Sequence, residues 1–411
     1  MTAHTCLLRP SKRSIVNLLV DLSMHGSQAT ILTGVRRCGK STLQTQLMRL
    51  TKKAFYCNFE DIRLFGMGPD DFTTFLSVLD ELAGPEQPVF LDEVQEIEQW
   101  QRLVRTLLDR GRAVCVTGSN ASLLGRELGT KLTGRHLSFE VFPFNYREYL
   151  SFTGKEPGAE SFHAFLKDGG FPVFLREHRN LVLQELLRDV VQRDVVIRHG
   201  LRETRHVMNL ILFLLANTGQ PLSFQSLTKN LAIPTVGQTS RYMEFLQDAY
   251  LIFTVPKYSA SFKQRVIAPA KYFAADNGLR RANSPQVQPD MGHRLENAVA
   301  LYLRSQTREL CYAGERDLWE CDFITPDSAT GEVQITTDDD YGITTAIEYN
   351  IERMSMELDY DKYRRKDDSS LKESTVVSYD KLRGPERHYM NRVASCLNSA
   401  NISLKNAMEK E

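Results

Sequence analysis

Gly34 and Gly39 enclose a short polar segment that is followed directly by Lys40 and Ser41. An apolar run rich in β-branched residues precedes this segment at positions 29–33, and a helical pattern follows it. Glycines let backbone N–H groups close around phosphate oxygens, and a helix start presents the positive end of its dipole to the same charge. The pattern predicts a phosphate-binding loop (P-loop) made of Gly34, Val35, Arg36, Arg37, Cys38, Gly39, Lys40, Ser41 and Thr42.

The two residues after Gly39 have the side chains that a nucleoside triphosphate and a metal ion require. Lys40 would contact the β- and γ-phosphates, and the Ser41 hydroxyl would complete the coordination of Mg²⁺. ATP and Mg²⁺ are therefore the predicted cofactors. The alternative is a glycine-rich turn with an exposed lysine, which does not account for the strand and the helix that flank the loop.

A second apolar run, 88–91, ends in the carboxylates Asp92 and Glu93. A P-loop site needs an acidic residue on a neighbouring strand to hold Mg²⁺, and Asp92 is the candidate. Glu93 has the chemistry of a base that orients or deprotonates an attacking water. The alternative is that both residues only cap a helix that begins near Val94.

A third apolar run, 113–117, ends in Gly118, Ser119 and Asn120. In α/β sheets the carboxyl ends of the strands form the ligand-binding edge, so these polar residues are predicted near the phosphates. Asn120 or Ser119 could donate a hydrogen bond to the γ-phosphate or to the attacking water. Alternatively, Asn120 caps a helix that begins at Ala121.

Several blocks of the sequence, in this order, resemble prokaryotic AAA-type (AAA+) ATPases whose C-terminal half is a conserved domain of unknown function. The blocks are Gly34–Ser41, Tyr56–Asp61, Phe90–Gln95, Thr117–Asn120, Leu132–Arg135 and Phe142–Phe144. The resemblance implies an α/β P-loop fold and ATP hydrolysis, with Asp92 and Glu93 as the Walker B pair and Asn120 as the first sensor. Because relatives of this class usually act as rings or other oligomers, it also implies a homo-oligomer.

Arg135 matches the arginine of the family's Gly-Arg element. The resemblance implies that Arg135 neutralises charge in the transition state, either in its own subunit or in a neighbouring one. Arg126 is a second candidate for this role. Either arginine could instead be an ordinary surface residue, because arginine is mostly exposed.

Helical patterns follow a turn-rich segment at 154–160 and fill residues 162–199. Arg188, Arg193, Asp194 and Arg198 interrupt their apolar positions. Such a charged face could contact phosphates, but a solvated or interdomain face is the preferred interpretation.

Residues 206–258 are typical of a winged helix-turn-helix, with three helices followed by a strand hairpin. The third helix would begin near Val236, and its first turns would present the residues that contact a DNA groove. These candidates are Gln238, Thr239, Ser240 and Arg241. Docking of a protein partner is the competing hypothesis, because winged helices also serve as protein-binding modules.

The C-terminal part carries three acidic residues in the pattern of a restriction-type nuclease, Glu296 on a helix and Asp322 and Glu332 on two strands. Gln334 stands where that pattern requires lysine. Without an ammonium group to activate water or bind the scissile phosphate, cleavage should be impaired or absent. The prediction is a degenerate nuclease-like α/β lobe, and a purely structural lobe is the alternative. Beyond Gly342 the sequence becomes highly charged and has no functional interpretation.

The composition is that of an ordinary globular protein. The 411 residues contain 51 basic and 51 acidic side chains, so overall charge does not indicate a partner. No run approaches the roughly 20 apolar residues that span a bilayer, so a cytoplasmic protein without membrane contact is expected. The seven cysteines contain no CxxC pair, which argues against a disulfide framework or a zinc site.

The predicted architecture has three parts: a P-loop AAA-type ATPase domain (1–155), a helical winged-helix domain (156–285) and a restriction-endonuclease-like α/β lobe (286–411). Two functions compete. In the first, the nucleotide state controls DNA binding, in genome maintenance or in defence against mobile elements. In the second, the C-terminal half binds a protein partner and the ATPase acts as a signalling or assembly switch.

Overall fold

The three apolar runs near the N-terminus each form a strand of one parallel sheet. The computed structural model describes residues 28–51, 53–119, 132, 134–259, 267–284, 291–315, 319–326 and 333–336. The strands are β1 (Ala29–Thr33), β2 (Phe55–Asn58), β3 (Val89–Asp92), β4 (Val114–Gly118), β5 (His136–Glu140), β6 (Pro221–Leu222), β7 (Ile252–Val255), β8 (Ala270–Ala274), β9 (Cys311–Glu315), β10 (Trp319–Pro326) and β11 (Val333–Thr336).

The α-helices alternate with the first strands and then dominate the middle of the chain. They are α1 (Lys40–Leu50), α2 (Phe72–Leu82), α3 (Trp100–Asp109), α4 (Tyr146–Thr153), α5 (Ala159–Asp168), α6 (Pro172–Glu177), α7 (Asn180–Val190), α8 (Thr204–Ala216), α9 (Phe224–Asn230), α10 (Val236–Asp248), α11 (Asn277–Asn283) and α12 (Met291–Gln306). A π-helical segment, Val191–Ile197, continues α7. Short 3-10 turns occupy Ile62–Leu64, Pro69–Asp71 and Val94–Glu96.

The first sheet has the strand order β2-β3-β4-β1-β5, and its described pairings are all parallel. Side chains alternate between its two faces, as the strand period requires. On β1, Ala29 and Ile31 pack with α2 and α3 on one face, whereas Leu32 belongs to the core on the other face. The carboxyl ends of β1, β3 and β4 therefore meet at one edge, where the P-loop was predicted.

The core that contains Leu32, on the other face of the sheet, joins the sheet to the helical region. It runs from Leu32 and Leu43 of the first domain through Phe171 and Leu187 to Leu210 and residues beyond. The helical pattern predicted for 162–199 is observed as α5, α6, α7 and the π-helical segment. The first two parts of the chain thus share a continuous apolar core, although the sequence between them is rich in turns.

The middle and the C-terminal parts each contain a small antiparallel sheet. Strands β6, β8 and β7 form one in this order, beside α8, α9 and α10, and strands β11, β10 and β9 form the other. Phe273 of β8 packs on Phe323 of β10, with ring centroids 5.4 Å apart. Tyr312 of β9 also donates its backbone N–H to the Pro256 carbonyl at 3.0 Å, so the two sheets are in direct contact.

Within the residues that the structure covers, no helix has the length and apolar character needed to cross a membrane. Among the cysteines, burial raises the pKa of the Cys115 thiol to about 12 and that of the Cys57 thiol to about 11. Thiolates are the reactive form of cysteine, so these two thiols are expected to be inert.

Candidate nucleotide-binding site

Backbone geometry fixes both glycines of the predicted P-loop. Gly34 has φ 139°, and a Cβ at this position would lie 2.1 Å from the carbonyl oxygen of Val141. Gly39 has φ 107° and directly precedes α1. Both values lie in the region that glycine tolerates and other residues avoid. The loop can therefore close between β1 and α1 only with these residues in place.

Lys40 places its ammonium group inside the loop. Its Nζ donates hydrogen bonds to the carbonyl oxygens of Gly34 at 2.9 Å and Val35 at 3.1 Å, and the side chain is buried. Because α1 begins at Lys40, the positive end of its dipole faces the same space. A phosphate group bound here would meet an ammonium group, a helix start and loop N–H groups together.

Asp92 lies at the centre of a cluster of oxygen atoms at the carboxyl end of β3. Ser41 Oγ donates to Asp92 Oδ1 at 3.1 Å, and the Tyr56 hydroxyl donates to Oδ2 at 2.9 Å. The Thr117 hydroxyl also donates to Oδ1. A hydroxyl beside a carboxylate is the oxygen donor set that Mg²⁺ prefers. Ser41 and Asp92, predicted as the metal-side residues, are thus brought together, and they fit that ion.

Tyr56 and Thr117 were not predicted as site residues. Burial, together with the charge of Asp92, raises the pKa of Tyr56 well above its ordinary value. The phenol therefore stays protonated and donates to the carboxylate. Thr117 connects the two acidic residues, because its hydroxyl donates to Asp92 and accepts from the Glu93 N–H at 3.0 Å.

Glu93 adopts a left-handed backbone conformation, with φ 54° and ψ 49°. Such a conformation is uncommon for residues other than glycine, and it turns the side chain away from the strand direction. The carboxylate is buried and accepts a hydrogen bond from the Gln95 side chain. Burial raises the pKa of Glu93, whereas the charges of Lys40 and Arg36 act in the opposite direction. Glu93 directly follows Asp92, which contacts Ser41, so it lies close to the P-loop, as its predicted role requires.

Gln44 fixes α1 beneath the site. Its buried side-chain amide donates to the carbonyl oxygens of Leu91 at 3.2 Å and Cys115 at 3.1 Å. These carbonyls belong to β3 and β4, the strands that end in Asp92 and in the Thr117 segment. One glutamine thus sets the position of Ser41 on α1 relative to both strand ends.

The two arginines of the P-loop contact the helical region rather than the loop itself. Arg36 donates to Asp194 of the π-helical segment and to Glu60. Arg37 lies 3.7 Å from Asp189 of α7, and both of these side chains are exposed. The sequence placed both arginines in the predicted P-loop and assigned no role to their side chains. Of the charged residues predicted to form a solvated or interdomain face on 162–199, Asp194 contacts Arg36 of the P-loop.

Arg135 lies at the edge of the sheet opposite to the P-loop. Its carbonyl oxygen accepts the N–H of Ala29 at 2.9 Å, and its side chain pairs with Asp109 at the end of α3. Ala29 begins β1, whereas the P-loop follows the end of that strand, about 13 Å further along. Of the two possibilities left open for Arg135, this position does not support action within its own subunit. A role in the site of a neighbouring subunit stays a prediction.

Asn120 and Arg126 lie outside the described residues. Ser119, directly after β4, is buried, and its Oγ lies 3.4 Å from the Gln95 side chain. The sensor role that was assigned to Asn120, with Ser119 as its alternative, stays a prediction.

The helix predicted to contact DNA has the bounds that the sequence indicated, Val236–Asp248. Thr239 is fully buried, and its hydroxyl lies 2.7 Å from that of Thr228 on α9. The prediction that Thr239 contacts DNA is therefore wrong. Gln238 and Ser240 are half-buried, and Arg241 is exposed.

The acidic residues of the C-terminal lobe meet an ammonium group that the sequence pattern lacked. Lys271 of β8 donates to Glu296 Oε1 at 3.0 Å and to Asp322. The three side chains are 3%, 9% and 5% exposed, so this cluster is enclosed between the two small sheets. The sequence analysis looked for an ammonium group only at position 334, whereas Lys271 brings one to the acidic pair from a different strand. Glu332 lies outside the described residues, and the backbone of Gln334 pairs with that of Thr325.

Comparison with known proteins agrees with the geometry of the first domain. The model of a family described as an AAA domain matches residues 26–150, and that of a domain of unknown function (DUF8612) matches residues 159–289. An uncharacterized protein of Methanocaldococcus jannaschii is 29% identical over 337 residues, which are 76% of this chain and 75% of that protein. An uncharacterized protein of Haemophilus influenzae is 29% identical over 318 residues, 72% of this chain and 78% of that protein.

A solved structure, the Walker-type ATPase of Pyrococcus abyssi, is similar to this chain with a TM-score of 0.44 and 16% identity. The similarity covers 67% of this chain and 98% of that one. Residues 26–150 thus match the AAA domain family, and within them Lys40, Ser41 and Asp92 lie together at the predicted P-loop. The function of the region from 159 to 289 is not indicated by its match.

Proposed function

We propose that the protein binds ATP with Mg²⁺ and hydrolyses it to ADP and phosphate. The observation that carries the proposal is the contact between Ser41 Oγ and Asp92 Oδ1 at 3.1 Å, beside the ammonium of Lys40 and the carboxylate of Glu93. These four residues have the chemistry of phosphoryl transfer to water. Nucleotide binding alone would not require a buried carboxylate at position 93.

Each side chain has a separate task in this reaction. Lys40 would exchange the carbonyl oxygens of Gly34 and Val35 for phosphate oxygens. Ser41 and Asp92 would hold Mg²⁺, which neutralises charge on the phosphates when bound. Glu93 would accept a hydrogen bond from the attacking water, and Gln95 orients its carboxylate. The raised pKa of Glu93 favours proton uptake at this position, while Lys40 and Arg36 keep the ionised form accessible.

Phosphate release by the full chain tests this proposal. Glu93→Gln should retain ATP binding and lower the hydrolysis rate by about 10²-fold or more, because it removes the acceptor for the water proton. Glu96→Gln is the matched control, since Glu96 is exposed on the next 3-10 turn. Hydrolysis at an unchanged rate in Glu93→Gln would remove Glu93 from the mechanism.

We further propose that the nucleotide state is transmitted to the C-terminal half. The contacts of Arg36 and Arg37 with Asp194 and Asp189, and the core that continues from Leu43 to Leu187, support this. Limited proteolysis in the presence of ATP or ADP tests the idea. Identical digestion patterns in the two nucleotides would contradict it.

The ligand of the C-terminal half is either DNA, as the winged-helix hypothesis predicts, or a protein. On the exposed face of α10, Arg241 is accompanied by Glu244, so this surface has one charge of each sign. Binding to the phosphate backbone requires a surplus of basic residues. The charge of α10 therefore favours a protein partner over DNA. Salt-sensitive binding of a DNA duplex to the full chain, lost in Arg241→Glu, would reverse this preference.

A further inference from the structure

An ion pair joins the C-terminal lobe directly to the nucleotide-binding domain. Arg304, near the end of α12, donates a hydrogen bond of 2.7 Å to Glu140, the last residue of β5, across 164 positions of sequence. The Arg304 and Glu140 side chains are only 20% and 12% exposed. Both charges are therefore largely withdrawn from water, and each needs the other to offset the cost of burial.

A second contact, from the middle part of the chain, reaches the same edge of the sheet. Tyr250, in the turn between α10 and β7, forms a hydrogen bond with the side chain of Thr33. Thr33 ends β1 and directly precedes the P-loop, and it is the register partner of Glu140 on β5. The two contacts thus converge on one pair of neighbouring strand ends.

Val141, which follows Glu140, supports both arms of the P-loop. Its backbone N–H donates to the Thr33 carbonyl at 2.6 Å, and its own carbonyl accepts a hydrogen bond from Cys38 Sγ at 3.2 Å. The same carbonyl lies against Gly34, where a side chain would have no room. Val141 is buried, and closely packed interiors transmit small displacements. A shift at the end of β5 should therefore move the P-loop.

Helix α12 carries the ion pair near its end and a part of the buried acidic cluster eight positions earlier. Glu296 pairs with Lys271, and Asn297 accepts the Ala274 N–H of β8 at 2.8 Å. The distance from Glu296 to Arg304 along a helix is about 12 Å. One continuous helix therefore links the strand ends beside the P-loop to the two small sheets.

We infer that Arg304 is a positioning residue of the nucleotide site and acts through Glu140 on the P-loop. Tyr250 has the same role through Thr33. Both roles rest on the proposed function, since they concern how the phosphate groups of the nucleotide are held. A partner that displaces α12 would loosen the loop and weaken phosphate binding. By linkage, a bound nucleotide restrains α12 by the same coupling free energy.

Hydrogen exchange of the full chain, measured by mass spectrometry beside ADP affinity, tests this link. In the wild type, saturating ADP should slow the exchange of the α12 amides, because the bound nucleotide restrains the helix. Arg304→Met keeps an apolar stem but deletes the hydrogen bond to Glu140. It should weaken ADP binding about tenfold, because the loop is less well positioned. At saturating ADP, exchange in α12 of this variant should no longer respond to the nucleotide.

Arg308→Met is the matched control. Arg308 is exposed and follows α12, so its substitution removes the same charge near Glu140 but keeps the hydrogen bond of Arg304. ADP affinity and the response of α12 should stay within about twofold of the wild type, because exposed charges are screened by water. Tyr250→Phe removes only the hydroxyl that is bonded to Thr33 and should weaken ADP binding about threefold.

The double variant Glu140→Gln and Arg304→Met decides the matter if Arg304→Met does not fold, because it leaves no buried charge unpaired. It should lose ADP affinity and the response of α12 as the single variant does. Wild-type ADP affinity, or an unchanged response of α12, in both the double variant and Tyr250→Phe would overturn the inference and leave the proposed ATPase standing. A wild-type protein that binds no nucleotide would overturn both.

Discussion

The hydroxyl of Ser41 donates a hydrogen bond of 3.1 Å to Oδ1 of Asp92, a residue 51 positions later in the sequence. The P-loop after β1 and the end of β3 meet across β4, because the strand order places β4 between β1 and β3. The contact thus depends on the sheet topology and joins the two segments that a nucleotide–magnesium complex must bridge.

Removal of the Ser41 hydroxyl should weaken the binding of Mg²⁺ at the nucleotide site. Ser41→Ala leaves Asp92 in place but deletes one oxygen of the proposed donor set. We expect a lower kcat, by tenfold or more, and a higher Mg²⁺ concentration for half-maximal phosphate release. The measurement is ATPase activity in a magnesium titration, with Ser77→Ala, an exposed hydroxyl on α2, as control. The same magnesium dependence in Ser41→Ala and the wild type would contradict the assignment.

Lys271 should have a structural role: its charge should stabilise the fold, and it should take no part in catalysis. Lys271→Met removes the buried ammonium from Glu296 and Asp322 and should lower the free energy of unfolding by about 3–5 kcal/mol. The triple variant Lys271→Met, Glu296→Gln and Asp322→Asn should regain most of this loss, because no buried charge is left without an opposite charge. Urea denaturation measures both effects, and Lys229→Met on the surface is the control. Equal stability of the single variant and the wild type would contradict this view.

The parts of the site that could be predicted are those encoded in local sequence. Gly34, Lys40 and Ser41 follow a strand pattern and open a helix, and Asp92 ends an apolar run, so each position carries its own signal. Tyr56 and Lys271 had no such signal. Their contacts with Asp92, Glu296 and Asp322 cross between strands and sheets, and only the folded chain shows which strands are neighbours.

The sequence contains signals against two of the roles considered for site residues. Arg135 directly precedes β5, and a residue before a strand of a parallel sheet lies at the edge opposite to the carboxyl ends. Thr239 precedes Tyr242, Met243 and Leu246 by three, four and seven positions, and this spacing places all four residues on one face of the helix, the buried one. The direction of the strand indicates the edge at which Arg135 lies, and the periodicity of the helix indicates that Thr239 is buried.

Asp276 should make stability depend on pH. This fully buried carboxylate caps α11 through the Leu279 N–H at 2.8 Å and accepts the Gly170 N–H; burial raises its pKa to about 6. An unfolded aspartate titrates near 3.9, so between about pH 4 and 6 the folded state binds more protons. The stabilisation is complete below that range and is lost as pH rises through about 6.

Comparison of the wild type with Asp276→Asn isolates this effect, because all other titrations are shared. As pH falls from 7 to 4, the wild type should gain up to about 3 kcal/mol of unfolding free energy relative to the variant. Urea denaturation at several pH values provides the measurement, with Asp70→Asn, an exposed aspartate, as control. A difference between wild type and Asp276→Asn that does not vary with pH would show that burial does not shift this carboxyl.

Arg135 can contribute to hydrolysis only if its guanidinium enters the site of another subunit. Its ion pair with Asp109 is exposed, with side chains 39% and 54% accessible, so Arg135→Ala should cost less than about 1 kcal/mol of stability. If Arg135 acts between subunits, Arg135→Ala should lower ATPase activity about 10²-fold or more, as loss of an arginine finger does. Lys40→Ala should be inactive because it removes the ammonium of the P-loop.

Mixing the two inactive variants tests the prediction directly. In a mixed oligomer, a subunit with Arg135→Ala keeps an intact P-loop and can receive Arg135 from a neighbour that carries Lys40→Ala. Activity should therefore return when the variants are combined, and it should depend on protein concentration as assembly does. Arg105→Ala serves as the control, since Arg105 also lies near Asp109 but on α3. Full activity of Arg135→Ala alone would exclude the residue from hydrolysis, and inactive mixtures would exclude its action between subunits.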